Sequence, residues 1–357
     1  MRNRSSAGSR WHVLAAAGGL AIVNLLGRSV AADGAAPAAE LLYVSDETGG
    51  NVVIVDPQQA RVVARIAVGK RPRGIQISPD HKTVYVALSG SPIGGPNVDE
   101  SRLPPPDRRY DGIGVVDLRS QKLIHTYPSG ADPEAFALSH DGKVLYVSNE
   151  DTGQMSAVDL TRGVVRATVA VGSEPEGVAV SRDDRVVYVT CETSNNLYVV
   201  DARSMRVLAT IPTEKRPRGL FLASHAHRGY STDEFGAALT VFSTEDYKVL
   251  KTISLGDPKI VRPMGIASSD GRRLYVTTGR FGALLEVDGE TGRIVRAIDK
   301  VGKRPWGVAL SRDGTKAYTA NGPSGDISVI DLKSGRVAAR IAVGGSPWGV
   351  VAAVPAN

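Results

Sequence analysis

The chain has 357 residues, 43 Lys plus Arg against 37 Asp plus Glu, and a formal charge of +6. Residues 1–32 hold four of those arginines and no acid, so the remainder carries only +2 and has no basic field of the kind nucleic acid calls for. One cysteine, Cys191, excludes an internal disulfide; near the end of an apolar strand, it reads as a small core residue.

In chain order, Arg2, Arg4 and Arg10 precede a short apolar run, Trp11 to Gly27, and Val30-Ala31-Ala32 offers small residues for cleavage. This reads as a signal peptide over 1–32, which places the protein in the periplasm or outside the cell with no membrane span left after cleavage. A retained anchor is the alternative, although the run is short for a span. A short linker, 33–40, follows.

From residue 41 to 355 the chain repeats. Seven Pro-x-Gly anchors occur, at Pro72, Pro133, Pro175, Pro217, Pro263, Pro305 and Pro347, with Ala135 replacing glycine once. The prolines lie 61, 42, 42, 46, 42 and 42 residues apart. Each unit holds a short strand after the anchor, a Ser-x-Asp turn such as Ser139-His140-Asp141, and a strand ending in a small polar residue such as Leu145 to Asn149. A third strand then ends on aspartate, and a β-branched fourth follows. This alternation predicts one all-β domain, a seven-bladed β-propeller with four antiparallel strands per blade. Three strands precede the first anchor (Leu42–Ser45, Val52–Asp56, Val62–Val68), and one, Val350–Val354, follows the last. Three plus one complete a seventh blade and close the ring.

The third-strand aspartates (Asp56, Asp117, Asp159, Asp201, Asp288, Asp331) suggest chemistry, but recurrence at one place favours turn capping. Segment 89–112 is an insertion between the second and third strands of its blade, polar and rich in proline, and reads as a lid, a binding segment or surface decoration. Ser224–Tyr230 replaces one Asp-Gly turn.

The units Leu145-Tyr146-Val147-Ser148-Asn149 and Val329-Ile330-Asp331, with the recurring Val-Gly-x-x-Pro-x-Gly, resemble the YVTN-type seven-bladed β-propeller repeat family over residues 40–353. The anchor order Arg-Pro-Arg, Asp-Pro-Glu, Glu-Pro-Glu, Arg-Pro-Arg and a final Pro-Trp-Gly is similar to periplasmic propellers that accompany pyrroloquinoline-quinone-dependent alcohol catabolism and its transporter genes. That likeness implies an accessory role and supplies no catalytic residues.

Anchors and second-to-third-strand loops should meet at one mouth of the central channel, the default ligand site. The anchor flanks differ from blade to blade, and Arg71, Arg73, Glu134, Glu176, Arg216, Arg218, Arg262, Arg304, Trp306 and Trp348 are the candidate ligand contacts. Glu150, Asp151, Glu192, Asp233 and Glu234 lie in neighbouring loops. One reading is a partly solvated ring of ion pairs at the rim, each contributing about 0–1 kcal/mol. The other is a charge-divided pocket that orients a polar or anionic ligand. Trp306 and Trp348, on adjacent blades, read as a channel plug or as stacking faces for a planar anion.

His81, His140, His225 and His227 fall in turns on the opposite face, and His125 in an outer strand. His225-Ala226-His227 shows no third metal ligand. No cofactor is implied; Ca²⁺ would fall to Glu150 and Glu192 if anywhere. The leading expectation is a monomeric, non-catalytic propeller binding a small molecule or a periplasmic protein. Its rivals are a lactonase- or lyase-like enzyme using Glu134, Glu150, Glu176 and Glu192, and a cell-surface interaction protein.

Overall fold

A computed structural model describes residues 39–94, 98–223 and 226–355. The signal-peptide expectation for 1–32 lies outside them. The described chain forms seven four-stranded antiparallel sheets. The innermost strands are Pro347–Ala353, Ile75–Ile77, Pro133–Leu138, Pro175–Val180, Pro217–Ala223, Ile266–Ala267 and Pro305–Leu310, for blades 1 to 7. Blade 1 is the composite one. Its strand Leu41–Asp46 pairs antiparallel with Pro347–Ala353, placing Leu42 opposite Ala352 and Val44 opposite Val350. Closure leaves no open end to the ring of blades, which would otherwise expose a template for aggregation.

The middle strands of each blade are buried almost throughout, as Leu41–Asp46 and Asn51–Asp56 are, because both faces of a blade meet a neighbour; alternation persists only in outer strands such as Val164–Ala170. The core is therefore a set of layers between blades. Val53 and Val55 of blade 1 pack against Tyr318, Ala320 and Val329 of blade 7, and Tyr43 and Ile54 pack against Val84 and Val86 of blade 2. Second-strand tyrosines fill these layers: Tyr43, Tyr188, Tyr230 and Tyr318 are almost fully buried. Cys191 is buried as expected, and burial pushes its thiol up to about 12, which keeps it protonated and inert.

The recurring aspartates are turn caps. Asp56 accepts from the Gln58 and Gln59 N–H groups, Asp159 from Thr161 and Arg162, and Asp331 from Ser334. Ser243 takes the same part in blade 5, accepting from Glu245 and Asp246. The insertion leaves its blade between Thr83–Leu88 and Gly112–Asp117, and holds two short 3₁₀ turns, Glu100–Arg102 and Arg108–Tyr110. Among the described residues no helix is long and apolar enough to cross a membrane.

Candidate functional site

The anchor forms a β-bulge in blades 3, 4, 5 and 7. In blade 4 the pairing passes from Pro175–Cys191 to Val178–Val189, so one extra residue is accommodated. Blades 3, 5 and 7 do the same at Pro133, Pro217 and Pro305. A bulge frees the carbonyl of residue x and the following N–H from the ladder. Second-strand hydroxyls then bridge blades. Thr190 Oγ1 accepts from Gly177 N–H (2.8 Å) and donates to the Arg218 carbonyl of the next blade (2.6 Å). Thr277 links Gly265 to Trp306, and Ser45 links Gly349 to Arg73 in the same manner. The glycine is required by closeness: a Cβ on Gly177 would stand 2.2 Å from the Arg218 carbonyl oxygen. In blades 1 and 3 to 6 the small polar residue near the end of the second strand thus belongs with the anchor, a pairing visible only once the blades are docked.

With the backbone held this way, residue x projects into the channel mouth in five blades, as Arg73, Glu134, Arg218, Trp306 and Trp348, while Glu176 and Met264 lie on a smaller cavity. The residue before proline sits in the left-handed region at Arg71, Asp132, Glu174, Arg216 and Arg304 (φ 42° to 61°), a strained setting for a non-glycine residue. A cavity of about 1120 Å³ opens there. Nine of the ten expected contact residues line it, as do Ser91, Ile93 and Leu103 of the insertion; the tenth, Glu176, lines the smaller cavity instead.

The expectation of a partly solvated rim of ion pairs is corrected in part of the ring, because the pairs there are buried. Arg73 is 2% exposed and bonds Asp132, Glu134 and, at 3.1 Å, Glu150, with the Pro133 carbonyl at 2.9 Å. Arg71 donates to the Ser91 and Pro92 carbonyls (3.1 Å each) and pairs with Glu47 (3.3 Å). It therefore ties the insertion down to blade 1. Arg108 of the insertion bonds Asp151 and Asp111. The insertion forms a wall of the chamber rather than plain decoration.

The second network belongs to blades 4 and 5. Arg218 bonds Glu176 (2.6 Å), Glu234 (2.7 Å) and Glu192, and Arg216 bonds Glu192 (2.6 Å) and Glu234 (3.2 Å). Two guanidiniums meet three carboxylates. Burial, then the neighbouring Glu176, drive Glu192 well above the usual carboxylate range; burial also pushes Glu176 up, but Arg218, the hydrogen bond with Glu192 and Arg216 together outweigh it and hold Glu176 below that range. A proton on Glu192 leaves this network neutral. Glu150 is pushed up to about 7, first by burial and then, against the pull of Arg73, by Asp132; its side chain keeps 31% exposure on the chamber. Asp132 stays below its usual range despite burial, held by Arg73 and the Ser89 hydroxyl.

The third part of the mouth differs. Arg262, Arg280 and Arg304, on blades 6 and 7, line the cavity and make no ion pair or side-chain hydrogen bond among the described residues. Arg262 lies 4.4 Å from the Phe235 ring centroid and Arg304 lies 4.9 Å from that of Trp306. Trp306 and Trp348 meet edge to face at 5.5 Å. They border the mouth chamber and also a second cavity of about 220 Å³, which all seven anchor positions line further down the channel. The two tryptophans are thus a partition that keeps a face on the chamber.

The sequence reading missed Glu47, Phe235 and Arg280. Their signal is positional, since they follow second strands as Glu150 and Glu192 do. Glu150 and Glu192 face separate arginines, and among the described residues no three His, Cys, Asp or Glu side chains converge to hold a metal. His81 meets the Val354 carbonyl, His140 meets Asp184 and His227 meets Glu245, all in first-to-second-strand turns. His225 lies outside the described residues.

The fold defines a seven-bladed β-propeller repeat protein with a charged mouth chamber. Residues 107–228 match the model of the YNCE-like β-propeller family. The chain is 25% identical over 163 residues to antigen Lp49 of Leptospira interrogans, covering 37% of this chain and 36% of that one. It is 24% identical over 106 residues to the uncharacterized protein YncE of Salmonella typhimurium, covering 30% and 24%. The matches thus span about a third or less of these curated relatives. Among solved structures, the periplasmic gluconolactonase of Pseudomonas aeruginosa superposes with a TM-score of 0.69 at 23% identity, over 88% of this chain and 99% of that one. At that identity the likeness is one of fold.

Proposed function

We propose that this protein is an exported, non-catalytic propeller whose mouth chamber captures a small polar ligand or a projecting segment of a periplasmic protein. The observation that carries this reading is the chamber itself: about 1120 Å³, walled by the insertion, on a scaffold whose anchors repeat while their side chains vary. Most mouth carboxylates are engaged by arginines, which suits recognition better than turnover. The order of the anchor residues supports an accessory role in a periplasmic quinone-dependent oxidation or uptake system. A screen of periplasmic small molecules by thermal shift, repeated with Arg216→Gln and Trp306→Leu, tests it. Ligands that stabilise the parent and not the variants are expected; equal shifts in all three would remove the mouth from consideration.

One observation favours an enzyme as the second reading. Glu150 is pushed up to about 7 and faces the chamber, as a general acid or base working near neutral pH does. The fold likeness to a protein named as a gluconolactonase suggests the assay. Hydrolysis of glucono-δ-lactone that Glu150→Gln abolishes would support this reading; a parent rate no greater than the uncatalysed one would dismiss lactonase activity.

A further inference from the structure

We infer that Arg262, Arg280 and Arg304, with the rings of Phe235 and Trp306, form an anion subsite for a carboxylate or phosphate carried on a planar apolar body. This deepens, and rests on, the reading of the mouth as a ligand chamber.

The argument is one of charge and partners. Every other arginine on the chamber is paired with acid: Arg71 with Glu47, beside two carbonyls, Arg73 with three carboxylates, Arg216 and Arg218 with glutamates on blades 4 and 5. Arg262, Arg280 and Arg304 make no ion pair with an acid among the described residues. They are close together. A Cβ on Gly279, the residue before Arg280, would stand 3.0 Å from Arg262 Cβ. Burial lowers the Arg304 guanidinium from its ordinary value, with Glu234 opposing and the nearby Arg218 and Arg280 adding. Three cations held near one another, two of them half-buried, repel and lose solvation, and an anion in the chamber relieves both costs.

The rings supply the second half of the recognition. Phe235 contacts both Arg216 (5.0 Å) and Arg262, and Trp306 contacts Arg218 (5.6 Å) and Arg304. Arg262 and Arg304 are thus each braced against an aromatic face, which orients the N–H edge without occupying it. Phe235 remains 42% exposed at the chamber wall, open to stacking. Guanidinium forks suit carboxylate and phosphate alike, because both present two coplanar oxygens.

Calorimetric titration of the full chain with benzoate, phenyl phosphate and phenol tests the assignment, and the tighter of the two anions identifies the class. Both anions are expected to bind saturably at millimolar concentration and to weaken with salt, with phenol at least about tenfold weaker. The double variant Arg262→Gln/Arg304→Gln should lose about tenfold or more for the anions and leave phenol unchanged. Phe235→Leu, which keeps every charge, should weaken all three. Phenol binding as well as the anions, no anion binding, or wild-type affinity in the double variant would overturn the subsite. Trp348→Leu separates the two levels. Anion binding that depends on Trp348 but not on the arginines sinks the subsite and keeps the mouth; binding that depends on neither sinks both.

Discussion

Two arcs of one mouth use the same anchor position for opposite ends. On blades 2 to 5, arginines and carboxylates at or beside the anchors close on one another, and their charges are buried. On blades 6 and 7, the same positions hold Arg262, Arg304 and Trp306, with no acid in ion-pair contact among the described residues, and the guanidiniums lean on aromatic rings instead. The backbone is alike in both arcs: Thr190 and Thr277 bridge their blades identically. What separates a structural arginine from an available one is the residue that the next blade presents.

The largest effect should come from breaking the closed arc. Arg218→Met leaves Glu176 and Glu234 buried without their main counter-charge, and a loss of about 3–5 kcal/mol in urea unfolding is expected. A loss under about 1 kcal/mol would mean that the network is wetter than its burial indicates. Gly177→Ala attacks the scaffold under the same arc. Its methyl group meets the Arg218 carbonyl, and about 1–3 kcal/mol should be lost, whereas Gly314→Ala, whose Cβ meets nothing, should lose less and only through its left-handed backbone.

Protonation sharpens the comparison further. A carboxylate raised in the folded state binds its proton more tightly there than in the unfolded chain. Folding stability then falls as pH rises from the unfolded value to the folded one. For Glu150 that window runs from 4.5 to about 7. Glu150→Gln should flatten the decline of the urea midpoint across it, while Asp132, held low, contributes in the opposite sense below its ordinary range. An unchanged profile would place Glu150 in ordinary solvent. The smallest effect is expected in the open arc: Arg262→Gln, which breaks no ion pair, should change stability by about 0.5 kcal/mol or less in the same assay. A loss comparable with that of Arg218→Met would show that the two arcs do not differ.

Much of this could be read in advance. The anchors count the blades, and the three leading strands and one trailing strand announce the closure that Leu42 and Ala352 complete. The capping role of Asp159 and its equivalents follows from recurrence alone. The mouth residues were named as a set, but Glu176 and Glu192 were grouped with Glu150 as one kind of carboxylate. The structure separates them: Glu176 is lowered by Arg218, while Glu192 and Glu150 are raised. Arg280 and Phe235 escape notice because the loops after the second strands share a position and not a residue type.

The sequence by itself determined the architecture, since proline, glycine, aspartate and alternating apolar residues act within one strand or turn, over a few residues. Only the tertiary structure decided which charges are spent. Arg218 meets Glu176 across 42 positions and Arg73 meets Glu150 across 77, and those separations are crossed by the docking of neighbouring blades. Pairing between blades depends on the distance between neighbouring anchors, a property of the docked sheets that no local pattern encodes.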